Sequence, residues 1–515
     1  MLTVSFLLET ATLVALIGVW VTFFHLGGFG HLVAYTGASA AAPATVSFFH
    51  SIFLLLGIPT TPGLVAVLSV GLPSAAVVFV AQRSNSTVWS VVRIAGCYVT
   101  PALLGASAMS RLVRFERATP DTLLYIAHAQ LLGGESSLLL NSADLSERGL
   151  GVSSYHSLAS LFDRELFASM QLNVGIASCC AIFACSWNLI SKNQPWHIAA
   201  LVSGAGALFI AATDRFIFSH QLVNQHGLVG LQLGAVLLLS ITLDDASLRL
   251  RGAAIASLAL IASSIISARP EGVLSVTYLL FLVATSGLVS LGKRARDLPM
   301  LVCCLVLLLL PWAAVLWLHG PRGQATGTLL IGFGILASGP VRGRLSKVDD
   351  VDGTAARRLV TRAAITLYFG GVLLLCLLDS QRDLGLLTRG IGAIATNFFT
   401  SGGWGVTIII LSPLLAIPER YTTEIHKLVQ DLLLGSFAIA VGLSVVRNGE
   451  YRVGPGDSLN RMMYHSLPLV GVFLAALLSA PFQERHLTVS ASRQTQHWNR
   501  EHPRTKYSDR GDTAS

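Results

Sequence analysis

The sequence predicts an all-α integral membrane protein of roughly 14 transmembrane helices, with a large extracytoplasmic loop containing a short amphipathic helix. Three observations carry this. Charged residues make up 12% of the chain and hydrophobic ones 53%, against about 25% charged in an ordinary soluble domain. Apolar runs of roughly 20 residues, the length that crosses a hydrocarbon core, recur along almost the whole chain. One long stretch, 111–165, is too polar to lie in a bilayer.

In chain order the candidate spans are 3–24, 62–82, 88–109, 166–190, 196–213, 227–243, 252–268, 272–291, 298–318, 324–340, 360–378, 391–416, 428–446 and 463–481. The run 45–58, with Pro43 and Pro59 beside it, is short for a crossing. It reads as a re-entrant or interfacial piece, or as one more span. The chain thus divides into N-terminal membrane helices (1–109), the polar loop (110–165), a membrane bundle (166–484) and a basic, disordered tail (485–515). The first apolar stretch lacks a basic start and a small-residue cleavage site, so it reads as a retained span. Its Glu9 is expensive in lipid and calls for a polar partner inside the bundle or a functional role. The seven cysteines all lie in apolar runs, which suits packing rather than disulfides or zinc.

Lys and Arg set the orientation. The segments 293–296 and 341–362 and the tail from Arg485 are the basic clusters, and an even number of spans separates each pair, so all three fit the cytoplasmic side. The same parity puts Arg249 and Arg251 inside. It puts 111–165, Asp214–His226, Arg269–Glu271, 380–388 and 447–461 together on the outer face. The net charge of +8 therefore belongs to topology and carries no nucleic-acid signal.

Within the polar loop, Thr119-Pro120-Asp121 reads as a helix start, with an N-cap, a first-position proline and an acid in the first turn. Asp121, Tyr125 and His128 then share one face, Leu124, Ala127 and Leu131 form the neighbouring apolar stripe, and Gly133-Gly134 ends the helix. Such a helix either lies on the membrane with a solvated face or aims an acid, a phenol and an imidazole at a substrate. Glu135, Asp144, Glu147 and His156 follow in the same loop.

The run "DTLLYIAHAQLLGGESSLLL" followed by "GVSSYHSLASLF" resembles the first extracytoplasmic loop of the GT-C class of membrane glycosyltransferases. "SARPEGVL" (Ser267 to Leu274) and "GDSLNRMMYHSLPLVGVFLAAL" (Gly456 to Leu477) are similar to later segments of that class. About three spans precede Asp121, whereas the class usually places this loop after the first membrane helix. The resemblance implies a polyprenyl-phosphate-linked sugar donor, a glycan, lipid or protein acceptor, and transfer at the outer face of a membrane, the bacterial plasma membrane in the first instance. It implies Asp121 as general base, since an acceptor hydroxyl needs a carboxylate in reach to take its proton. Tyr125, His128, Glu135, Asp144, His156, Asp214, Arg269, Glu271 and Arg461 become substrate-binding candidates, with arginines suited to the leaving phosphate. No ligand cluster in the sequence compels a cofactor, while the resemblance leaves room for a divalent cation such as Mg or Mn to assist the leaving group.

Each candidate has a plainer alternative. Arg269 and Glu271 read equally as interfacial anchors at a span junction, and Asp214, Arg215, His220 and His226 as a hydrated turn. Walker, dinucleotide-binding, HExxH and EF-hand patterns are absent from the sequence, which disfavours a nucleotide-driven pump or a zinc protease. A transporter or flippase for a lipid-linked glycan, dependent on Glu9, and a non-catalytic scaffold are the rival classes.

Overall fold

In the computed structural model the described residues are 4–84, 103–110 without 106, 120–134, 148–246 without 222, 250–285 without 270, 296–319, 392–401, 424–446 and 462–479, with a few isolated positions between them. They form helices α1 (Val4–Leu26), α2 (His31–Leu56), α3 (Pro62–Ser84), α4 (Pro120–Leu132), α5 (Gly151–His156), α6 (Ala168–Ile190), α7 (Trp196–Ala211), α8 (Asp214–Gln221), α9 (Gln225–Thr242), α10 (Arg251–Ala268), α11 (Gly272–Thr285), α12 (Asp297–His319), α13 (Glu424–Val446) and α14 (Tyr464–Ser479). Seven of the described helices, α1, α2, α3, α6, α9, α10 and α12, are long and apolar enough to cross a membrane, and α7, α11 and α14 are shorter apolar helices. The described residues are all-helical, without a strand among them, and their apolar helices make the chain a multi-pass membrane protein. The expected spans 88–109, 324–340, 360–378 and 391–416 fall wholly or largely outside the described residues.

Of the alternatives for 45–58, the structure supports the further span and not the re-entrant or interfacial piece: residues 45–56 are the second half of α2, a single helix of 26 residues that runs through Pro43 and is long and apolar enough to cross a membrane. Its first half, rich in Ala, Gly, Ser and Thr, is almost wholly buried against other helices. Between helices in lipid, close packing replaces the hydrophobic drive, and small residues permit it. Gly37 shows the need, because a Cβ there would press on the Phe24 ring at 3.1 Å.

The core sits around α9, all of whose residues are buried. It packs against α2, α6, α10 and the start of α14. α1, α3 and α12 are peripheral and turn large apolar side chains such as Leu7, Val67, Phe79 and Leu307 outward. These contacts set the ends of the bundle. Glu9, near the start of α1, bonds Ser169 at the start of α6, and Leu150 N–H donates to Ser267 O at the end of α10 (3.1 Å). Thr60, between α2 and α3, donates to Leu132 O at the end of α4. The opposite end is tied by Arg251, which bonds Asp297 at 2.6 Å and Asp244 at 3.0 Å. The described residues of 120–134, 148–167, 214–226, 269–271 and 464–466 therefore gather at one end, with Asp244, Arg251 and Asp297 at the other.

Candidate functional site

At the loop-bearing end, residues 148–152 thread between α4 and the junctions of α9 and α10. Two glycines make the approach possible. Gly149 has φ of +62°, and a Cβ there would lie 2.2 Å from Ser267 O; at Gly151 it would lie 2.0 Å from Gln225 Oε1. The left-handed conformation and the close passage both favour glycine. Gln225, the first residue of α9, binds this thread from both sides of its amide: Val152 N–H donates to Oε1 at 2.8 Å, and Nε2 donates to Arg148 O at 2.7 Å.

Arg148 in turn reaches Asp121. Its Nη1 lies 2.6 Å from Asp121 Oδ1, and its guanidinium sits over the Tyr125 ring at 5.6 Å. Asp121 occupies the first turn of α4, where the helix dipole favours a carboxylate. The pair keeps 20% and 24% side-chain exposure, so it lies at an accessible edge. Helix α4 is oriented opposite to the solvated-face alternative. Tyr125, His128, Ala129 and Leu132 are buried, whereas Leu123 and Leu124 are 57% and 40% exposed.

Next to Gln225, a buried polar chain crosses from α10 to α14. Arg269 Nη2 lies 3.0 Å from His226 Nε2, and His226 Nδ1 lies 2.9 Å from His465 Nε2. A guanidinium only donates, so His226 accepts at Nε2 and carries its proton on Nδ1. That proton is donated to His465, whose own proton therefore sits on Nδ1. A second proton on either ring would face another donor, so this chain holds both imidazoles neutral. The rings stack at 5.0 Å. Arg269 Nε also faces Glu271 Oε1 at 3.4 Å, with only 9% and 2% side-chain exposure. These two residues are a sealed ion pair, not the interfacial anchors that their position at a span junction suggests.

A second cluster adjoins it. His220 Nδ1 donates to Phe216 O at 2.9 Å, and the Tyr464 hydroxyl lies 2.9 Å from Nδ1 and 3.2 Å from Nε2, of which Nε2 is the nitrogen left to accept its proton. Gly175 on α6 leaves the room this ring occupies, since a Cβ there would touch it at 3.0 Å. Arg215 is fully buried and lies over Trp404 at 6.0 Å. Of the four residues that the hydrated-turn alternative named, Asp214 is exposed and Arg215, His220 and His226 are buried. Arg215, His220 and His226 turn inward because Phe216 and the buried start of α9 anchor the segment.

His156 is held elsewhere. Its Nδ1 accepts from Phe167 N–H at 3.0 Å, at the N-cap of α6, and it is buried beside Tyr155. This is a capping role that keeps the ring from a substrate. Glu9 is likewise committed, bonded to Arg164 and Ser169. Of the sequence-derived candidates the structure brings Asp121, Tyr125, Arg269 and Glu271 into one framework. Glu135, Asp144 and Arg461 lie outside the described residues. Arg148, Gln225, Tyr464 and His465 were not singled out from the sequence. The visible signals were the "YH" pair within the late segment quoted above and the "QH" pair opening an apolar run.

Among the described residues no group of three or more His, Cys, Asp and Glu is arranged to hold a metal ion. Both ring nitrogens of His226 are engaged by protein, and Asp121 Oδ1 by Arg148. The described residues of the framework therefore do not form a cation site.

Two histidines outside the spans titrate far below their ordinary value of 6.5. Burial takes His156 down to about 3, against a contact with Gln171 that raises it, and His220 down to about 4, against the Phe216 carbonyl. The unfolded chain therefore takes up these protons first. Stability is complete above the ordinary value and falls as pH drops toward the folded values, by roughly 1.4 kcal/mol per pH unit for each histidine. The thermal midpoint in detergent should be flat above pH 6.5 and decline below it, with a shallower slope in His220→Gln. A midpoint independent of pH across that window would contradict the neutral burial of these rings.

Comparison with protein-family models, with curated proteins and with solved structures finds no match for this chain.

Proposed function

We propose that the chain is a membrane glycosyltransferase, similar to the GT-C class, which moves a sugar from a polyprenyl-phosphate donor to an acceptor of the cell envelope. The supporting observation is the single framework at the loop-bearing end, where the accessible Asp121–Arg148 pair is joined through Gln225 to the buried chain of Arg269, His226 and His465. A carboxylate and several guanidiniums held beside a bilayer suit transfer from a lipid phosphate. By the positive-inside rule, the basic segments 293–296 and 341–362 and the basic tail favour a cytoplasmic opposite end and a site on the outer face, and the reading takes the membrane to be a bacterial plasma membrane.

The acceptor hydroxyl gives its proton to Asp121 as its oxygen bonds the anomeric carbon. The bond from that carbon to the phosphate oxygen breaks, and its electron pair leaves with polyprenyl phosphate. Asp121 is the carboxylate for this work because an acceptor reaches it, whereas Glu271 is sealed at 2% side-chain exposure. Glu271 and Arg269 hold the histidine chain in place.

The test uses the full chain in vesicles with labelled polyprenyl-phosphate sugars. Donor-dependent release of polyprenyl phosphate is expected, with label entering an acceptor. Folded protein that releases none from a broad donor set would overturn the reading. Movement of an intact lipid-linked glycan between leaflets would then assign transport instead.

A further inference from the structure

We infer that Arg148 is a phosphate latch, which either pairs with Asp121 or turns to the donor's phosphate and so withdraws from the carboxylate that acts as base. The inference rests on the glycosyltransferase reading above and adds a residue and a sequence of events to it. While Asp121 Oδ1 accepts from Arg148 at 2.6 Å, that oxygen is not open to an acceptor hydroxyl. A phosphate offers the same guanidinium a bidentate partner. An ion pair with this much exposure is weak, so an arriving phosphate competes with it on favourable terms. The Arg269–Glu271 pair, nearly sealed, does not exchange in this way.

The local geometry suits a side chain that changes partner on a fixed backbone. The carbonyl of Arg148 is held by Gln225 Nε2 at 2.7 Å, and Gly149 is pressed against Ser267 and Ala268. The Tyr125 face, 5.6 Å from the guanidinium carbon, keeps the cation close when it leaves Asp121. Exposed Leu123 and Leu124 lie on the same helix as Asp121 and offer an apolar surface for the isoprenoid chain. Charge is conserved around the latch. Before transfer the donor diester and Asp121 each carry one negative charge. Afterwards Asp121 holds the acceptor's proton, and the phosphate monoester carries both charges against Arg148.

Competition has a signature that a positioning role lacks: removing the carboxylate's charge must tighten phosphate binding. The full chain in discs of zwitterionic lipid would be titrated with a polyprenyl phosphate and, separately, with inorganic phosphate. Thermal midpoints would confirm folding, and Arg148→Lys would serve as the conservative variant. Arg148→Gln should weaken lipid-phosphate binding by about tenfold or more, with Arg148→Lys between it and wild type. Asp121→Asn should bind about threefold more tightly than wild type. Unchanged or weaker binding by Asp121→Asn, with wild-type binding intact, would overturn the latch and leave the glycosyltransferase reading standing. Equal affinity for inorganic phosphate would overturn the lipid donor as the latch's partner. Folded wild-type protein that binds no polyprenyl phosphate would overturn the glycosyltransferase reading and the latch together.

Discussion

Replacing Glu9 by alanine is expected to destabilise the protein by roughly 3 kcal/mol, the low end of the cost of breaking a buried ion pair. The carboxylate is fully buried and has three bonds: Arg164 Nη1 at 2.8 Å, Ser169 N–H at 3.0 Å and Ser169 Oγ at 2.6 Å. It joins α1 to the start of α6, where its charge also meets the helix dipole. The low end applies because Arg164 keeps 29% side-chain exposure and regains water when its partner is lost. Glu9→Gln preserves an acceptor for Ser169 and loses the charge, so its cost should be about half as large. Thermal midpoints in detergent would rank wild type above Glu9→Gln and that above Glu9→Ala. Equal midpoints for all three would contradict the account of Glu9 as a structural tie.

Glu9 also shows how far the sequence could be read. A carboxylate inside an apolar run demands a partner, and that much was legible. Its partners were not, because Arg164 and Ser169 lie more than 150 residues away in sequence. Most helices were legible for a simple reason: α1, α3 and α12 face outward and must be strongly apolar. α2 was missed over its first half for the same reason inverted. A helix surrounded by protein contacts other helices rather than lipid, so Ala, Ser, Thr and Gly suffice, and Pro43 was read as a boundary where neighbours tolerate it.

The candidate site divides in a similar way. Local chemistry located Asp121 at a helix start, and the start of α4 at Pro120 follows from the proline and the acid. Which face α4 buries depended on the packing of Tyr125 and His128 under the loop, which the spacing of residues does not encode. The His226–His465 bond spans 239 positions in sequence, and no local pattern announces it. The histidines of 214–226 were read as hydrated because they lie in a short polar segment. Buried Phe216 and Val223 on that segment turn them inward.

Asp121→Asn is expected to lower sugar transfer by about 10²–10⁴-fold, the range for loss of a general base. Asparagine has the same shape and still offers an oxygen to Arg148, so the fold and donor binding should survive. The loss should therefore fall on kcat, with no rise in KM for the donor. The decisive measurement is transfer from a polyprenyl-phosphate sugar by wild-type and Asp121→Asn protein at matched amounts in the same membranes, with folding confirmed for both. Transfer by wild type and its near-complete loss in Asp121→Asn is the result this account expects. Equal transfer by the two proteins would remove Asp121 from the chemistry and contradict the site built around it.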